Sequence, residues 1–424
     1  MNYADDLIIM ATSPNALQKC LNNLETYCKT WKLDVNIKKT KIVTFNKQGS
    51  LIKKHSYNYK SYTLENVKEY KYLGFTFTCS GTMKHGIANL VKQAKKAWHA
   101  IQYYLKLSKN KSLHAYLALF DSKIKPIITY ACEAWIDSIH DDKDIASLLT
   151  KNTFETFHIG ILKQILGVHK KTTNIAVLLE LGRHPITTSI TFQAIKYFLR
   201  LPTINPSSLL NLLYEEEKRT YTTKKDSFIT FITRRLNLLG LSNIWREQLT
   251  NENITLNTKT TQASIRRRLM DNSSQTLISH MKHHNKKLSF LKELKNVHQF
   301  EYYLNINNFE NRRALTKLRT SSHRLKIETG RWENIEKDAR LCEQCTGGFI
   351  EDEKHLTFEC SMHSTDRKNT FNCIKLKINI DLSQKTTQME NLKLLFESKQ
   401  ISALNALAKF IKNAFNLRTP APAN

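Results

Sequence analysis

The chain has 424 residues, enough for two or three domains with sizeable cores. Its 65 Lys and Arg against 37 Asp and Glu give a formal charge of +28, and nucleic acid is the default polyanion for so basic a chain. A hydrophobic share of 41% excludes wholesale disorder, and only 11 Gly and 7 Pro favour long helices over a turn-rich all-β fold.

No apolar run reaches the about 18 residues that a membrane-spanning helix needs. The start, MNYADDLIIMATS, has no basic n-region and carries Asp5 and Asp6 before its short apolar run, so a signal peptide is not expected. Most of the eight cysteines are scattered singly, with one late cluster. That pattern argues against a disulfide framework and for a reducing, intracellular setting. A general Lys bias would also produce a basic chain, so the motifs have to decide what the charge is for.

Tyr3-Ala4-Asp5-Asp6 precedes Leu7-Ile8-Ile9-Met10, a run of strand length. Adjacent Asp side chains repel, and a divalent cation relieves the repulsion. Mg²⁺ takes hard oxygen ligands and shares itself with waters and substrate phosphates. Two such ions can activate an attacking hydroxyl and stabilise a leaving pyrophosphate. Adjacent Asp pairs also decorate surface turns, which is how Asp141-Asp142 reads. Ser13-Pro14 has the form of an N-cap followed by Pro at the first helical position. Leu17, Cys20, Leu21, Leu24, Cys28 and Trp31 then keep one apolar face at helical spacing. Cys20 and Cys28 read as packing thiols rather than ligands. A strand is expected over Ile42–Phe45. Tyr70–Phe77 alternates and ends near a Gly turn at Ser80-Gly81, a strand or hairpin signal.

The order of YADD, amphipathic helix, WKLDVNIKKTKIVTF and YKYLGFTF resembles the palm of reverse transcriptases from non-LTR (LINE-type) retrotransposons. The resemblance implies that Asp5 and Asp6 bind the catalytic Mg²⁺ ions and that Tyr3 lies beside the primer end. Asn36, Lys39 and Thr40 match the family's Asn-x-x-Lys-Thr core. Lys39 is then either the group that helps pyrophosphate leave or a solvated Lys in a basic run. The YLG match makes Tyr72, Leu73 and Gly74 candidates for holding the primer backbone. The family's third carboxylate and its fingers lie upstream of YADD, and only Met1 and Asn2 precede Tyr3 here. The expectation is therefore a fragment with an incomplete metal site, without polymerase activity by itself. An unpaired apolar strand edge around Leu7–Met10, an aggregation liability, is expected with it.

Helical periodicity follows within 84–120, carried by Ile87, Leu90, Val91, Ala94, Ala97, Trp98, Ile101, Tyr104 and Leu105. Lys92, Lys95 and Lys96 occupy the alternate face, as phosphate contacts or as an ordinary solvated surface. A second helix is expected near Leu113–Ile124. These helices, with Ile165-Leu166-Gly167-Val168 and Glu180-Leu181-Gly182-Arg183, resemble the same family's thumb, which grips the primer–template duplex. Pro202, Pro206 and Ser207-Ser208 read as a linker. Beyond it, Arg266-Arg267-Arg268, Lys282-His283-His284 and Lys286-Lys287 form a basic helical stretch, the two histidines incidental rather than metal-binding.

Cys342, Cys345, His355 and Cys360 give C-x2-C-x9-H-x4-C, a donor set suited to tetrahedral Zn²⁺, with Gly347-Gly348 supplying the turn between the halves. Four protein ligands make such a site structural. His363 could replace His355 but fits the spacing less well, and Cys373 lies outside. Leu318–Leu325 and Ile327–Arg331 resemble the segment that leads into the CCHC motif of such retrotransposon proteins, which implies that the knuckle contacts RNA or DNA. The residues after Cys360 hold no Pro-Asp pair, so a downstream nuclease is not expected.

The expected fold is α+β: a truncated palm sheet at 1–80, a helical thumb-like domain at 81–200, a basic helical region with linker at 201–335, a zinc knuckle at 336–368 and a helical tail at 369–424. The expected function is that of a C-terminal fragment of an RNA-directed DNA polymerase, with primer–template and element RNA as partners and no membrane. The alternatives are a non-catalytic zinc-containing nucleic-acid-binding protein and the relic of a decayed element.

Overall fold

A computed structural model describes residues 2–52, 54–107, 112–136, 144–223, 227–250 and 257–418. Asp141-Asp142 lies outside the described residues. The chain divides into two units, Met1–Lys95 and Lys96–Asn424.

The first unit is assembled from small sheets and one helix. β1 (Asn2–Tyr3) and β2 (Asp6–Leu7) form an antiparallel hairpin with Tyr3 opposite Asp6. α1 (Pro14–Thr30) starts where the sequence places it: Ser13 Oγ accepts the Ala16 N–H at 3.2 Å, and Pro14 opens the helix. β3 (Lys41–Ile42), β4 (Tyr57–Tyr59) and β5 (Tyr62–Asn66) form a sheet of order β3-β5-β4, parallel between β3 and β5 and antiparallel between β4 and β5. Leu21 of α1 packs with Ile42, Tyr57, Tyr59 and Leu64, flanked by Leu17, Leu24, Val35 and Ile37. Each such aliphatic side chain contributes about 1.5–3 kcal/mol when fully buried.

β6 (Glu69–Tyr72) and β7 (Phe75–Thr78) form a hairpin whose two turn residues, Leu73 and Gly74, have φ of 44° and 88°. Positive φ at both central positions matches the right-handed twist of the strands. The start of α2 (Lys84–Leu107) packs on this hairpin. A Cβ on Gly86 would lie 2.4 Å from the Phe75 ring, so only glycine permits the approach. Asn89 donates to Thr76 Oγ1 at 3.2 Å.

Several expectations are corrected in this unit. Trp31, assigned to the apolar face, lies past the end of α1 and is 65% exposed. The strand expected over Ile42–Phe45 ends at Ile42, because Asn46 donates back to the Thr44 and Ser50 carbonyls and bends the chain away; Phe45 is exposed. The reading of Tyr70–Phe77 agrees with the structure: it is a hairpin, turning at Leu73-Gly74, and it ends at a turn where Gly81, at φ 70°, donates its N–H to the Thr78 carbonyl at 2.9 Å.

The second unit is helical. After α2 come α3 (Leu113–Leu119), a π turn at Phe120–Ile124, α4 (Lys125–Ile128), α5 (Ile145–Lys151), α6 (Thr153–Leu166), α7 (Asn174–Glu180) and α8 (Ile186–Arg200). α9 (Leu209–Thr220), α10 (Phe228–Leu238), α11 (Ser242–Thr250), α12 (Lys259–His284) and α13 (Ser289–Leu294) follow. α14 (Phe309–Arg319), α15 (Lys326–Trp332), α16 (Ser364–Ile378), α17 (Gln388–Glu397) and α18 (Ile401–Asn416) complete it. The periodicity read over 84–120 is thus two helices, and Tyr104, placed on its apolar face, is 69% exposed. α6 and α7 are buried along nearly their whole length, and α8 packs against α6 and α12. α18 packs on α14 and α16. Ser208, in the stretch read as a linker, N-caps α9.

The two thumb-like motifs are joints in this packing. Gly167 ends α6 at φ 68°, and the Val168 N–H reaches back to the Lys163 carbonyl at 3.1 Å. Gly182 has φ 57°, and a Cβ there would lie 2.3 Å from the Phe300 nitrogen, because Leu181 and Phe300 form an antiparallel bridge. Glu180 is fully buried and holds Arg319 of α14 through bonds of 2.8 and 2.9 Å. Arg183 pairs with Asp121 and stacks over Phe120.

Candidate active site and metal centre

Ala4 and Asp5 form the tip of the β1–β2 hairpin, Ala4 at φ 53°, and Asp6 opens β2. Both carboxylates and Tyr3 are exposed. Neither Asp makes an ion pair among the described residues, so both are free to hold a hard cation of the Mg²⁺ type. The apolar run behind them is strand only at Leu7; Leu7 and Met10 are 46% and 64% exposed.

Asn36 shapes the turn that presents Lys39. Its Oδ1 accepts the Lys39 N–H at 3.1 Å, and its carbonyl accepts the Thr40 N–H and hydroxyl at 2.9 Å. Lys39 itself is exposed. Tyr70 of β6 donates its hydroxyl to the Lys39 carbonyl at 3.1 Å, which ties this turn to the hairpin bearing Tyr72, Leu73 and Gly74. Two of the sequence-derived groups are therefore one linked feature. The polar side of Asn36 is committed to its own turn, a role legible from the Asn-x-x-Lys spacing alone.

Lys92, Lys95 and Lys96 project from α2 and are exposed, while Leu90, Val91, Ala94 and Trp98 are buried. One turn further, Tyr103 and Tyr104 are exposed and pack edge to face at 5.8 Å.

The late cysteine cluster closes into a small knot. Gly348, at φ 65°, turns the chain so that Leu341 pairs with Ile350 and the Cys342 N–H reaches the Phe349 carbonyl at 2.8 Å. Asp352 Oδ1 accepts the His355 N–H at 2.8 Å, and the Cys360 N–H reaches the His355 carbonyl at 2.8 Å. One ligand atom from each of Cys342, Cys345, His355 and Cys360 lies within 4.8 Å of the others. His355 Nε2 faces Cys345 Sγ at 3.4 Å, and Glu359 Oε2 stands 3.4 Å from the other ring nitrogen. Burial pushes the Cys342 thiol up to about 12. Burial also raises Cys345, but the Gly347 N–H and the Cys342 and Cys360 thiols outweigh it and hold that thiol below its usual range. Three thiols and an imidazole in this space fit a soft four-coordinate cation such as Zn²⁺. Among the described residues this is the one group of three or more potential ligands. His363 packs against Phe410, and Cys373 lies on α16, both outside the group.

Sequence reasoning missed the buried charge network behind the thumb-like motifs. Arg319, itself fully buried, also meets Glu301 at 3.0 Å, and Glu301 pairs with Lys295. Tyr303 donates to Glu180 at 2.6 Å. Burial raises the Glu180 carboxyl, and the Arg319 guanidinium more than offsets this and holds it below the carboxylate range. The signal was an uninterrupted apolar helix ending in Glu180, a charge that demands a partner.

Residues 1–77 match the model of the family described as reverse transcriptase (RNA-dependent DNA polymerase), so this part of the chain is similar to the polymerases that copy RNA into DNA. Over 136 residues the chain is 29% identical to a putative uncharacterized transposon-derived protein of Caenorhabditis elegans, a stretch covering 32% of this chain and 48% of that relative. The match thus spans about half the length of that curated relative. No solved structure matches the chain. No helix among the described residues is long and apolar enough to cross a membrane.

Proposed function

We propose that the chain is the carboxy-terminal part of a non-LTR (LINE-type) retrotransposon reverse transcriptase. In this reading residues 1–80 are palm, 81–200 thumb, 201–335 a basic helical region, 336–368 a zinc knuckle and 369–424 a helical tail. Asp5 and Asp6 are two of the Mg²⁺ ligands, Tyr3 lies beside the primer end, and Lys39 neutralises the departing pyrophosphate. Tyr72, Leu73 and Gly74 hold the primer backbone, Asn36 fixes the turn of Lys39, and Lys92, Lys95 and Lys96 contact duplex phosphates. Zn²⁺ is held by Cys342, Cys345, His355 and Cys360. RNA and DNA are the partners, in the nucleus or cytoplasm.

One observation carries the proposal: two free, adjacent carboxylates stand at a hairpin tip within the segment similar to reverse transcriptases. Nucleotidyl transfer by two metal ions needs a further carboxylate, and no third Asp or Glu joins the pair among the described residues. In this reading the 424 residues by themselves do not polymerise. The test is primer extension with Mg²⁺. No synthesis is expected from the chain alone; synthesis is expected when a segment carrying fingers and an early palm Asp is supplied, and Asp6→Asn removes it. Template-dependent extension by the chain alone, or extension indifferent to Asp6→Asn, overturns the proposal.

The missing third carboxylate also favours a second reading, a zinc-containing protein that binds nucleic acid without catalysis. The two diverge in the same assay, because only the first regains synthesis on supplementation.

A further inference from the structure

Several stretches of the chain carry no Asp or Glu, among them 156–179, 272–292 and 311–327. The fold brings all three to one corner of the second unit, and the fastener is Ser321-Ser322. Ser321 follows α14 at φ 49°, a conformation that favours glycine, and the Ser322 N–H closes the helix end on the Lys317 carbonyl at 2.9 Å. Serine is useful there because of its hydroxyl. Ser321 Oγ lies 3.1 Å from the Lys287 carbonyl and 2.7 Å from Glu353. Ser322 Oγ accepts the His169 N–H at 3.4 Å and lies 2.7 Å from Thr172 Oγ1. The loop after α6, the turn before α13 and the end of α14 are thus pinned within hydrogen-bond reach of two adjacent residues.

Each segment delivers cations to that point. The first brings Lys170 and Lys171, both exposed. The second brings exposed Lys286 and half-buried Lys287, and the third brings exposed Arg324 and half-buried Lys317. Carboxylates offset only part of this. Buried Glu328 takes Lys287 at 3.1 Å, Glu310 takes Arg313, and buried Glu353 takes His323 at 2.9 Å. The crowding is felt locally: burial and then Lys287 push Lys163 down to about 8, while burial followed by Lys170, Lys171, Lys163 and Lys287 lowers His169. A folded protein gains nothing from such repulsion unless a polyanion relieves it.

We propose that this corner, Lys170, Lys171, Lys286, Lys287, Lys317 and Arg324 around Ser321-Ser322, is a phosphodiester-binding surface for nucleic acid, separate from the lysines of α2. The inference rests on the nucleic-acid reading above. It adds a second anchoring point made by the fold rather than by one helix face.

The test compares two triple variants of the full chain that lose equal charge. Lys170→Ala/Lys171→Ala/Arg324→Ala strips the corner. Lys377→Ala/Lys385→Ala/Lys409→Ala strips exposed lysines of the carboxy-terminal region, two on α16 and α18 and one in the turn before α17. Binding to a fluorescein-labelled single-stranded RNA and to a DNA duplex of the same sequence is measured across a salt series, with thermal melting to show that both variants are folded. The corner variant is expected to bind about tenfold or more weakly, with a log–log salt slope shallower by about 2, from three lost contacts at about 0.7–0.9 each. The control variant is expected to track the parent. Loss on RNA alone or duplex alone identifies which backbone the corner holds. A corner variant that binds like the control overturns this inference and leaves the broader reading standing. A parent chain that binds neither probe overturns both.

Discussion

The most demanding single residue in the structure is Arg319. It is fully buried, clasps Glu180 and Glu301, and lies over the rings of Tyr303 and Phe396. A buried pair is not by itself a net gain in stability, but removing one partner strands the other charge in an apolar interior. Arg319→Met is expected to lower stability by about 3–5 kcal/mol, and adding Glu180→Leu to recover a large part of the loss, both read by denaturant titration. His184 carries a pH consequence. Burial, followed by neighbouring His298 at 4.6 Å, pushes it down to about 4. The folded state therefore refuses a proton that the unfolded chain accepts near pH 6.5. Stability is full above about 6.5 and drains away as the pH falls toward 4, by about 1–2 kcal/mol once partial exposure is allowed for. His184→Asn should flatten the melting temperature across that window. Little of this was legible in the sequence: an apolar helix ending in Glu180 called for a partner, but that partner stands 139 residues away, and nothing local pairs them.

Among elements, helix starts were the best-read feature. Ser13-Pro14 encoded its own geometry, since a capping hydroxyl and a fixed φ act within one turn. Strand ends were the worst, because whether Val43 to Phe45 pair depends on a partner strand and not on their own alternation. The Cys/His spacing foretold a cluster because thiols and imidazole at those intervals have few other uses in one place. The basic corner was invisible, its cations lying far apart in the chain. The Leu181–Phe300 bridge yields a sharp expectation. Gly182→Ala must force a Cβ against backbone at 2.3 Å and at positive φ. The expected cost is about 2–4 kcal/mol, seen as a lower denaturation midpoint with an unchanged slope. Gly348→Ala, also at positive φ but with nothing within 4 Å of its Cβ, should cost about 1 kcal/mol.

At the scale of the whole molecule, the Cys and His knot is wired into the helical unit rather than hung from it. Glu351, between its two halves, accepts the Lys326 N–H at 2.6 Å and pairs with Arg418 at 2.8 Å, and its carbonyl accepts the Ile327 N–H. Arg367 of α16 binds the Thr357 and Cys360 carbonyls. A chelator that removes the proposed zinc should therefore lower the melting temperature of the helical unit instead of melting a small module alone. One zinc per chain is expected by elemental analysis of the native protein, and Cys345→Ser should lose both the zinc and the stability. A melting curve untouched by chelation would show that the knot stands without metal.

The Glu180–Arg319 clasp has a consequence for birth on the ribosome. At about 5–20 residues per second, the 139 residues between its partners take roughly 7–28 s to synthesise. Throughout that interval the earlier helices α5, α8 and α12 can cover the apolar flanks of α6 and α7, but the Glu180 carboxylate waits without its guanidinium. Chains truncated before α14 should therefore keep a protonatable, unpaired carboxyl in their interior, and should resist protease less well than chains extended past Arg319.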